Sequence, residues 1–125
     1  MQYYISVILC CYNSEKYIQE TLQSIKNQTY KYFELVIVDD GSQDKTLLIL
    51  EDFVKKNRNI KINLIKQVNQ GLPFARNKAL DNCNYNLVAI IDHDDLWLED
   101  KLEKQIEDIK NNKDCYLFCT DFKYL

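Results

Sequence analysis

Short apolar runs alternate along this chain with segments in which apolar residues recur every three or four positions. The runs are typical of buried strands, and the intervening periodicity is typical of amphipathic helices. We predict strands over residues 5–10, 33–38, 60–65, 87–91 and 116–120, and helices that begin near residues 14, 42–44, 71–73 and 98. Regular strand–helix alternation indicates an α/β fold, with a mainly parallel sheet covered by helices on both faces.

Polar side chains follow three of these predicted strands directly. The clusters are Tyr12-Asn13, Asp39-Asp40-Gly41 and Asp92-His93-Asp94-Asp95. Right-handed crossovers place the carboxyl ends of parallel strands at one edge of the sheet. Ligand sites of open parallel sheets form at that edge, where the strand order reverses. The sequence therefore predicts one crevice lined by all three clusters.

The third cluster places three carboxylates, Asp92, Asp94 and Asp95, after the apolar run of residues 87–91. Neighbouring carboxylates repel one another and are costly to desolvate, so a divalent cation carrying a phosphate would suit them. If the backbone stays extended, Asp92 and Asp94 point the same way. We expect Asp95 to cap the next turn or helix and His93 to pack or hydrogen bond. The alternative is a solvated acidic turn.

Asp40 and Arg76 are the other candidate ligand-binding side chains. Gly41 suits a tight turn and Ser42 or Asp44 suits a helix cap, but capping does not account for Asp40. The Asp40 carboxylate is suited to accept a hydrogen bond from a ribose hydroxyl or a base N–H.

Arg76 falls in the first turn of the predicted third helix, where a cation opposes the helix dipole. It should therefore have an anionic partner, which is a phosphate, a site carboxylate or an ordinary surface acid. Tyr12 is suited to stack on a nucleobase, and a structural role is an equal alternative.

Composition limits the function classes. With 125 residues the chain has room for one domain with a core, spanning residues 1–125. A net charge of −3 gives no electrostatic reason to bind nucleic acid. Five cysteines without a Cys-x-x-Cys pair disfavour zinc and indicate reduced core thiols. No basic leader precedes the first strand, so we expect a cytoplasmic protein, with the inner membrane face as an alternative site of action.

These segments together resemble the N-terminal half of family 2 glycosyltransferases with the Rossmann-like GT-A fold. The resemblance covers essentially the whole chain, and four motifs come in the family's order. They are Ser6-Val7-Ile8 with Tyr12-Asn13, Val38-Asp39-Asp40-Gly41-Ser42 with Asp44 and Thr46, Asn69-x-Gly71 with Ala75-Arg76-Asn77, and the DXD-like Asp92-x-Asp94-Asp95.

The resemblance implies an enzyme of polysaccharide biosynthesis that uses a nucleotide-diphosphate sugar, most often UDP-linked, as donor. The matching positions then assign Tyr12 and Asp40 to the base and Asp92 to the ribose side. They assign Arg76 to the neighbourhood of the nucleotide. Asp94 would hold Mn²⁺ or Mg²⁺ against the diphosphate.

The resemblance also implies an inverting reaction, in which a general base deprotonates the hydroxyl of a saccharide or lipid-linked acceptor. In the family this base lies well downstream, in the acceptor-binding half, and this chain offers no candidate for it. We therefore expect the donor-binding part of a truncated domain, with little or no activity alone. Its last strand should leave an unprotected edge that favours self-association.

Three other interpretations compete with this one. A sugar nucleotidyltransferase would need a glycine-rich basic loop after the first strand, which residues 11–15 lack. A receiver-type signalling domain would need acids at the first strand and a lysine near the last, and Lys123 is a poor match. A catalytically silent nucleotide-binding or interaction module remains open.

Overall fold

The computed structural model describes residues 1–124 of the chain. Strands and helices alternate throughout, as the apolar pattern predicts. The elements are β1 (Ile5–Cys11), α1 (Ile18–Lys26), β2 (Phe33–Asp39), α2 (Thr46–Lys56), β3 (Lys61–Lys66), α3 (Leu72–Asp81), β4 (Leu87–Asp92) and α4 (Lys101–Asn111).

The four strands form one parallel sheet in the order β3-β2-β1-β4. The chain steps outward from β1 to β2 and β3, and then returns to the other side of β1 with β4. The order therefore reverses between β1 and β4, where Cys10 pairs in register with Asp92. This is the position at which a parallel sheet opens a crevice for a ligand.

Helices cover both faces of the sheet, which confirms the predicted layering. One face of β1 and β2 packs with α1, α2 and α4 in the larger core, which includes Leu9, Ile37, Leu22, Leu50 and Ile106. On the opposite face, α3 is the one helix of residues 1–124 that packs against the sheet core, through the small residues Ala75 and Ala79. Small side chains let α3 approach the sheet closely, so the helix start lies beside the strand ends.

The amino end of the sheet is tied by a buried carboxylate, Glu34, which is 2% exposed. Its oxygens accept hydrogen bonds from Ser6 Oγ, from the backbone and side-chain amides of Asn84, and from Lys61 Nζ at 2.7 Å. Burial alone raises the pKa of Glu34, but these donors outweigh it and lower the pKa to about 2. The network is structural and lies at the opposite end from the strand ends that carry the candidate site.

Several local predictions were wrong. Residues 116–120 form no strand, although the apolar pattern favours one, because no described strand offers them backbone partners. α4 begins at Lys101 rather than near residue 98, and α1 begins at Ile18 rather than next to Ser14. Ser14 instead uses its carbonyl to start a turn with Tyr17 and Ile18. Among residues 1–124, no helix is long and apolar enough to span a bilayer.

Candidate functional site

The loops that follow β1 and β2 are joined by reciprocal hydrogen bonds. Asn13, at φ +48°, receives a hydrogen bond at Oδ1 from the Gln43 amide at 2.8 Å and donates its own N–H to Ser42 Oγ at 3.0 Å. Asp44 accepts from the Glu15 and Thr46 amides at 3.1 and 2.9 Å. These contacts give Ser42 and Asp44 structural roles, but the prediction that one of them is the N-cap of α2 was wrong: the N-cap is Lys45, and in α2 Asp44 accepts only from the amide of Thr46. Tyr12, which directly follows β1, is 44% exposed.

Asp40 lies at the end of β2 with its carboxylate almost fully engaged, and it is only 3% exposed. Oδ1 accepts from Gln67 Nε2 at 2.7 Å and from the Gln70 amide at 2.8 Å. Oδ2 accepts from the Gly71 amide at 2.8 Å. Burial raises the pKa of Asp40, but these donors outweigh it and hold the pKa below its usual value. A carboxylate oxygen can accept two hydrogen bonds, and among the described residues Oδ2 accepts one.

Gly41 lets the loop after β3 approach the end of β2. Its φ is +76°, and a Cβ atom there would lie 2.8 Å from the backbone nitrogen of Asn69. The Asn69 amide side chain also donates to the Asp40 carbonyl at 3.0 Å. Asp40 and Gly41 therefore fix the residue 67–71 loop against the sheet, immediately before α3.

Arg76, in the first half of α3, forms an ion pair with Asp92 at the end of β4, with 2.7 Å between Nη2 and Oδ1. A site carboxylate was among the predicted partners of Arg76, and the structure confirms it. Cys10 of β1 lies among these charges. Burial raises the pKa of Cys10 to about 11, Arg76 opposes the rise, and Asp92 and Asp40 add to it. The charges of Asp40 and Asp92, which follow or end two different strands, thus both act on Cys10 of β1, as the predicted convergence of strand ends requires, and Arg76 of α3 lies beside Asp92.

Asp94 lies within a turn that Asp95 closes, and neither residue continues the extended strand. β4 ends at Asp92, and the Asp95 amide donates to the Asp92 carbonyl at 3.1 Å. The expectation that Asp92 and Asp94 share an extended backbone was therefore wrong, because the chain turns at His93. No helix begins at Asp95, so the predicted helix-capping role of its carboxylate was also wrong. His93 donates nothing from Nδ1, which is buried without a partner among the described residues.

Asp95 shows the repulsion between neighbouring carboxylates that the sequence predicts. Burial, followed by Asp92 and Asp94, raises the pKa of Asp95, and His93 only partly opposes the rise. Within residues 1–124 neither the Asp94 nor the Asp95 carboxylate has a hydrogen-bond donor or cation of its own. A cation supplied from outside would relieve this repulsion.

The described residues form no ready cage of three or more metal-ligating side chains. A Mg²⁺ or Mn²⁺ ion accepts one or two carboxylates when substrate phosphates and waters complete its shell. The exposed Asp94 carboxylate, with Asp95 beside it, fits that kind of partial donor set.

Two groups of residues at this edge were not predicted. Gln67 and Gln70 were missed because their role depends on Asp40 of another strand. Thr21, whose hydroxyl donates to the His93 carbonyl at 2.9 Å, was missed because it lies in a helix among apolar residues. Thr21 is 0% exposed. The sequence indicates this burial in one way, because Thr21 places a hydroxyl on the apolar face of a predicted amphipathic helix.

Comparison with known proteins identifies the family of the chain. The family model described as "Glycosyl transferase family 2" matches residues 6–124. Glycosyltransferase TuaG of Bacillus subtilis (strain 168), whose name provisionally assigns it to teichuronic acid biosynthesis, is 42% identical over 103 residues. Those residues are 82% of this chain and 40% of TuaG.

Two solved transferases share the fold. S. aureus TarS 1-349 in complex with UDP superposes with a TM-score of 0.79 at 37% identity, over 88% of this chain and 33% of that one. The mannosyltransferase PcManGT from Pyrobaculum calidifontis, in complex with GDP-Man and Mn²⁺, gives a TM-score of 0.82 at 27% identity, over 87% and 33%. The chain thus spans well under half the length of each of these relatives.

The parallel sheet with its helices is the GT-A type of α/β fold that the motifs predict. The family model covers nearly the whole chain, and its match includes all three polar strand ends. This chain belongs to glycosyltransferase family 2.

Proposed function

We propose that this chain is the donor-binding part of an inverting glycosyltransferase. The protein to which it corresponds would transfer a sugar from a nucleotide-diphosphate sugar, UDP-linked in our proposal, to a hydroxyl of a saccharide or lipid-linked acceptor. The observation that carries the proposal is the meeting of Asp40, Arg76, Asp92 and the Asp94 turn at the β1/β4 switch point. A relative of this fold holds UDP, and another holds GDP-Man with Mn²⁺.

Each side chain has a distinct proposed task. Tyr12, exposed at the end of β1, offers a ring face to the base. Asp40 offers the remaining acceptor position of Oδ2 to a base N–H. Asp92, oriented by Arg76, accepts from a ribose hydroxyl.

The diphosphate would lie over the turn that follows β4. Asp94 would hold Mn²⁺ or Mg²⁺ there, and the bound ion would neutralise the charge that develops on the departing nucleoside diphosphate. Arg76 keeps the adjacent Asp92 compensated, with its Nη2 2.7 Å from Asp92 Oδ1. Asp92 therefore adds less uncompensated negative charge near an incoming diphosphate than a free carboxylate would.

Calorimetric titration of UDP with Mn²⁺ or with EDTA tests this proposal. We expect UDP to bind the Mn²⁺-loaded chain, and chelation to weaken binding by about tenfold or more. Asp94→Asn should remove the metal-dependent part of the affinity. Asp81→Asn is the matched control, because Asp81 is an exposed aspartate at the end of α3.

Two results would overturn the proposal. One is UDP binding that is absent or indifferent to Mn²⁺ in the wild-type chain. The other is an Asp94→Asn variant that binds UDP and Mn²⁺ as the Asp81→Asn control does.

A further inference from the structure

Three polar side chains face the segment after β4: Thr21 and Ser24 of α1, and Gln28, which lies two residues beyond the end of the helix. Their spacing of three and four residues places them in one row, which we call the α1 polar row. Thr21 and Gln28 are 0% exposed, although α1 otherwise buries apolar residues such as Leu22 and Ile25. Buried polar side chains are costly unless they are hydrogen-bonded, so the row needs an explanation.

We call residues 92–95 the acidic turn. The first two members of the row contact the backbone on either side of its last two residues, Asp94 and Asp95. Thr21 Oγ1 donates to the carbonyl of His93 at 2.9 Å. The amide of Trp97 donates to Ser24 Oγ at 3.2 Å, and Ser24 Oγ donates in turn to the Thr21 carbonyl at 2.8 Å. Asp94 and Asp95 therefore lie between two backbone groups that α1 holds.

Gln28 holds the segment further along. Its Nε2 donates to the Leu98 carbonyl at 2.7 Å, and its Oε1 accepts from the Leu102 amide at 3.0 Å. Gln28 thereby satisfies one of the free amides in the first turn of α4. The neighbouring Thr29 amide donates to the Glu99 carbonyl at 2.8 Å.

We propose that the α1 polar row positions the acidic turn for its cation, with Thr21 as the principal positioning residue. This inference rests on the proposed function, because it assumes that Asp94 meets a metal-bound diphosphate. The His93 carbonyl belongs to the peptide bond that leads into Asp94. Without the Thr21 hydroxyl that carbonyl loses its partner, and the peptide is free to rotate and carry the Asp94 carboxylate with it.

The contacts are directed at the backbone of the turn and not at the carboxylates. The row therefore fixes where Asp94 and Asp95 stand without competing for their oxygens. Outer contacts of this kind orient metal ligands, and their removal weakens metal affinity. The row is distinct from Arg76, which compensates Asp92 from the opposite face of the sheet.

A set of three variants tests the inference. Thr21→Val removes the hydroxyl at nearly constant shape, and Thr21→Ser restores it. Ser6→Ala is the matched control, since Ser6 is a fully buried hydroxyl whose Oγ donates to Glu34 at 2.7 Å at the other end of the sheet. Two quantities are measured: hydrogen exchange of the Asp95 and Trp97 amides without metal, and Mn²⁺ affinity in the presence of UDP by electron paramagnetic resonance.

We expect Thr21→Val to speed exchange of the two amides by about tenfold and to weaken Mn²⁺ binding by about tenfold. Thr21→Ser should recover both quantities, and Ser6→Ala should change neither despite a comparable loss of stability. Unchanged exchange in Thr21→Val overturns the inference, and so does equal Mn²⁺ weakening in Ser6→Ala. A wild-type chain that binds no Mn²⁺ with UDP overturns the proposed function instead, while the exchange comparison, which needs no metal, still decides whether the row holds the turn.

Discussion

Replacing Asp40 by asparagine changes one atom of the carboxylate that joins the end of β2 to the loop before α3. In the wild type this carboxylate accepts from Gln67 Nε2 and from the amides of Gln70 and Gly71, at 2.7 to 2.8 Å. The asparagine side chain has one oxygen, which suffices for the two donors at the Oδ1 position. Its Nδ2 group would then face the Gly71 N–H, donor against donor.

The expected loss of stability can be worked out from these three hydrogen bonds. A hydrogen bond to a charged group is worth about 1.5–3 kcal/mol, and a buried donor left without a partner costs about 1–3 kcal/mol. Removal of the buried charge returns part of this, because burial disfavours the Asp40 carboxylate. We expect a net loss of about 2 kcal/mol in the free energy of unfolding. At a urea dependence of about 1–3 kcal/mol per M, the unfolding midpoint should fall by about 1 M.

Urea unfolding of Asp40→Asn at neutral and acidic pH checks both the size and the origin of this loss. Because the pKa of Asp40 is lowered in the folded chain, its stabilisation is present above the usual carboxyl pKa and is lost as the pH falls through the folded value. The gap between wild type and variant should therefore narrow in acid. Equal midpoints at neutral pH, or a gap that does not narrow, would refute the role assigned to this carboxylate. Asp81→Asn, at an exposed position, should leave the midpoint unchanged.

Three further predictions concern other parts of the chain. Gly41→Ala should cost more stability than Gly71→Ala, about 3 against about 2 kcal/mol in urea unfolding. Both positions have positive φ, but only Gly41 would also bring its Cβ against the Asn69 backbone; equal losses would contradict the close approach. Protonation of Glu34 should lower the free energy of unfolding of the wild type by about 3 kcal/mol as the pH drops from 4.5 to about 2. The pKa of Glu34 is lower in the folded chain than in the unfolded chain, so its stabilising contribution is complete above this range and is lost within it. Glu34→Gln should make stability less dependent on pH in this range, and a pH profile parallel to that of the wild type would contradict the role of Glu34. We expect the chain to self-associate through the edge strand β4, and Ile90→Lys, at a 53% exposed position of β4, should reduce this association in sedimentation velocity; an unchanged distribution would exclude that edge as the contact.

The fold and the convergence of strand ends could be predicted because they depend on rules that act along the whole chain. Apolar runs define the strands, and right-handed crossovers bring their carboxyl ends to one edge. The partner of Arg76 could also be predicted in kind, since a cation near a helix start requires an anion. Its identity as Asp92 needed the sheet order, which places β4 beside β1.

Features that depend on contacts between distant segments could not be predicted in this way. The turn at His93 is stabilised by Thr21 of α1, and nothing in residues 92–95 indicates whether the backbone stays extended. Asp40 obtains its donors from the next crossover, so its burial is invisible in its own motif. Residues 116–120 have strand-forming side chains, but a strand also needs a neighbour for its backbone groups, and the apolar pattern does not report one.

The distribution of charge at the site follows from the same geometry. Asp92 is the last residue of β4 and faces α3, so it meets Arg76 at 2.7 Å and is compensated within the chain. Within residues 1–124 neither Asp94 nor Asp95 forms an ion pair with Arg76, and Asp92 and Asp94 add to burial in raising the pKa of Asp95. Among the residues that the structure describes, one carboxylate thus has a cationic partner and two have none. An extended backbone would have placed Asp94 on the side of Asp92 and within the field of Arg76, where a divalent cation would have had a competitor. The turn therefore distinguishes Asp92, which Arg76 compensates, from Asp94 and Asp95, for which we propose a metal-bound diphosphate as the partner.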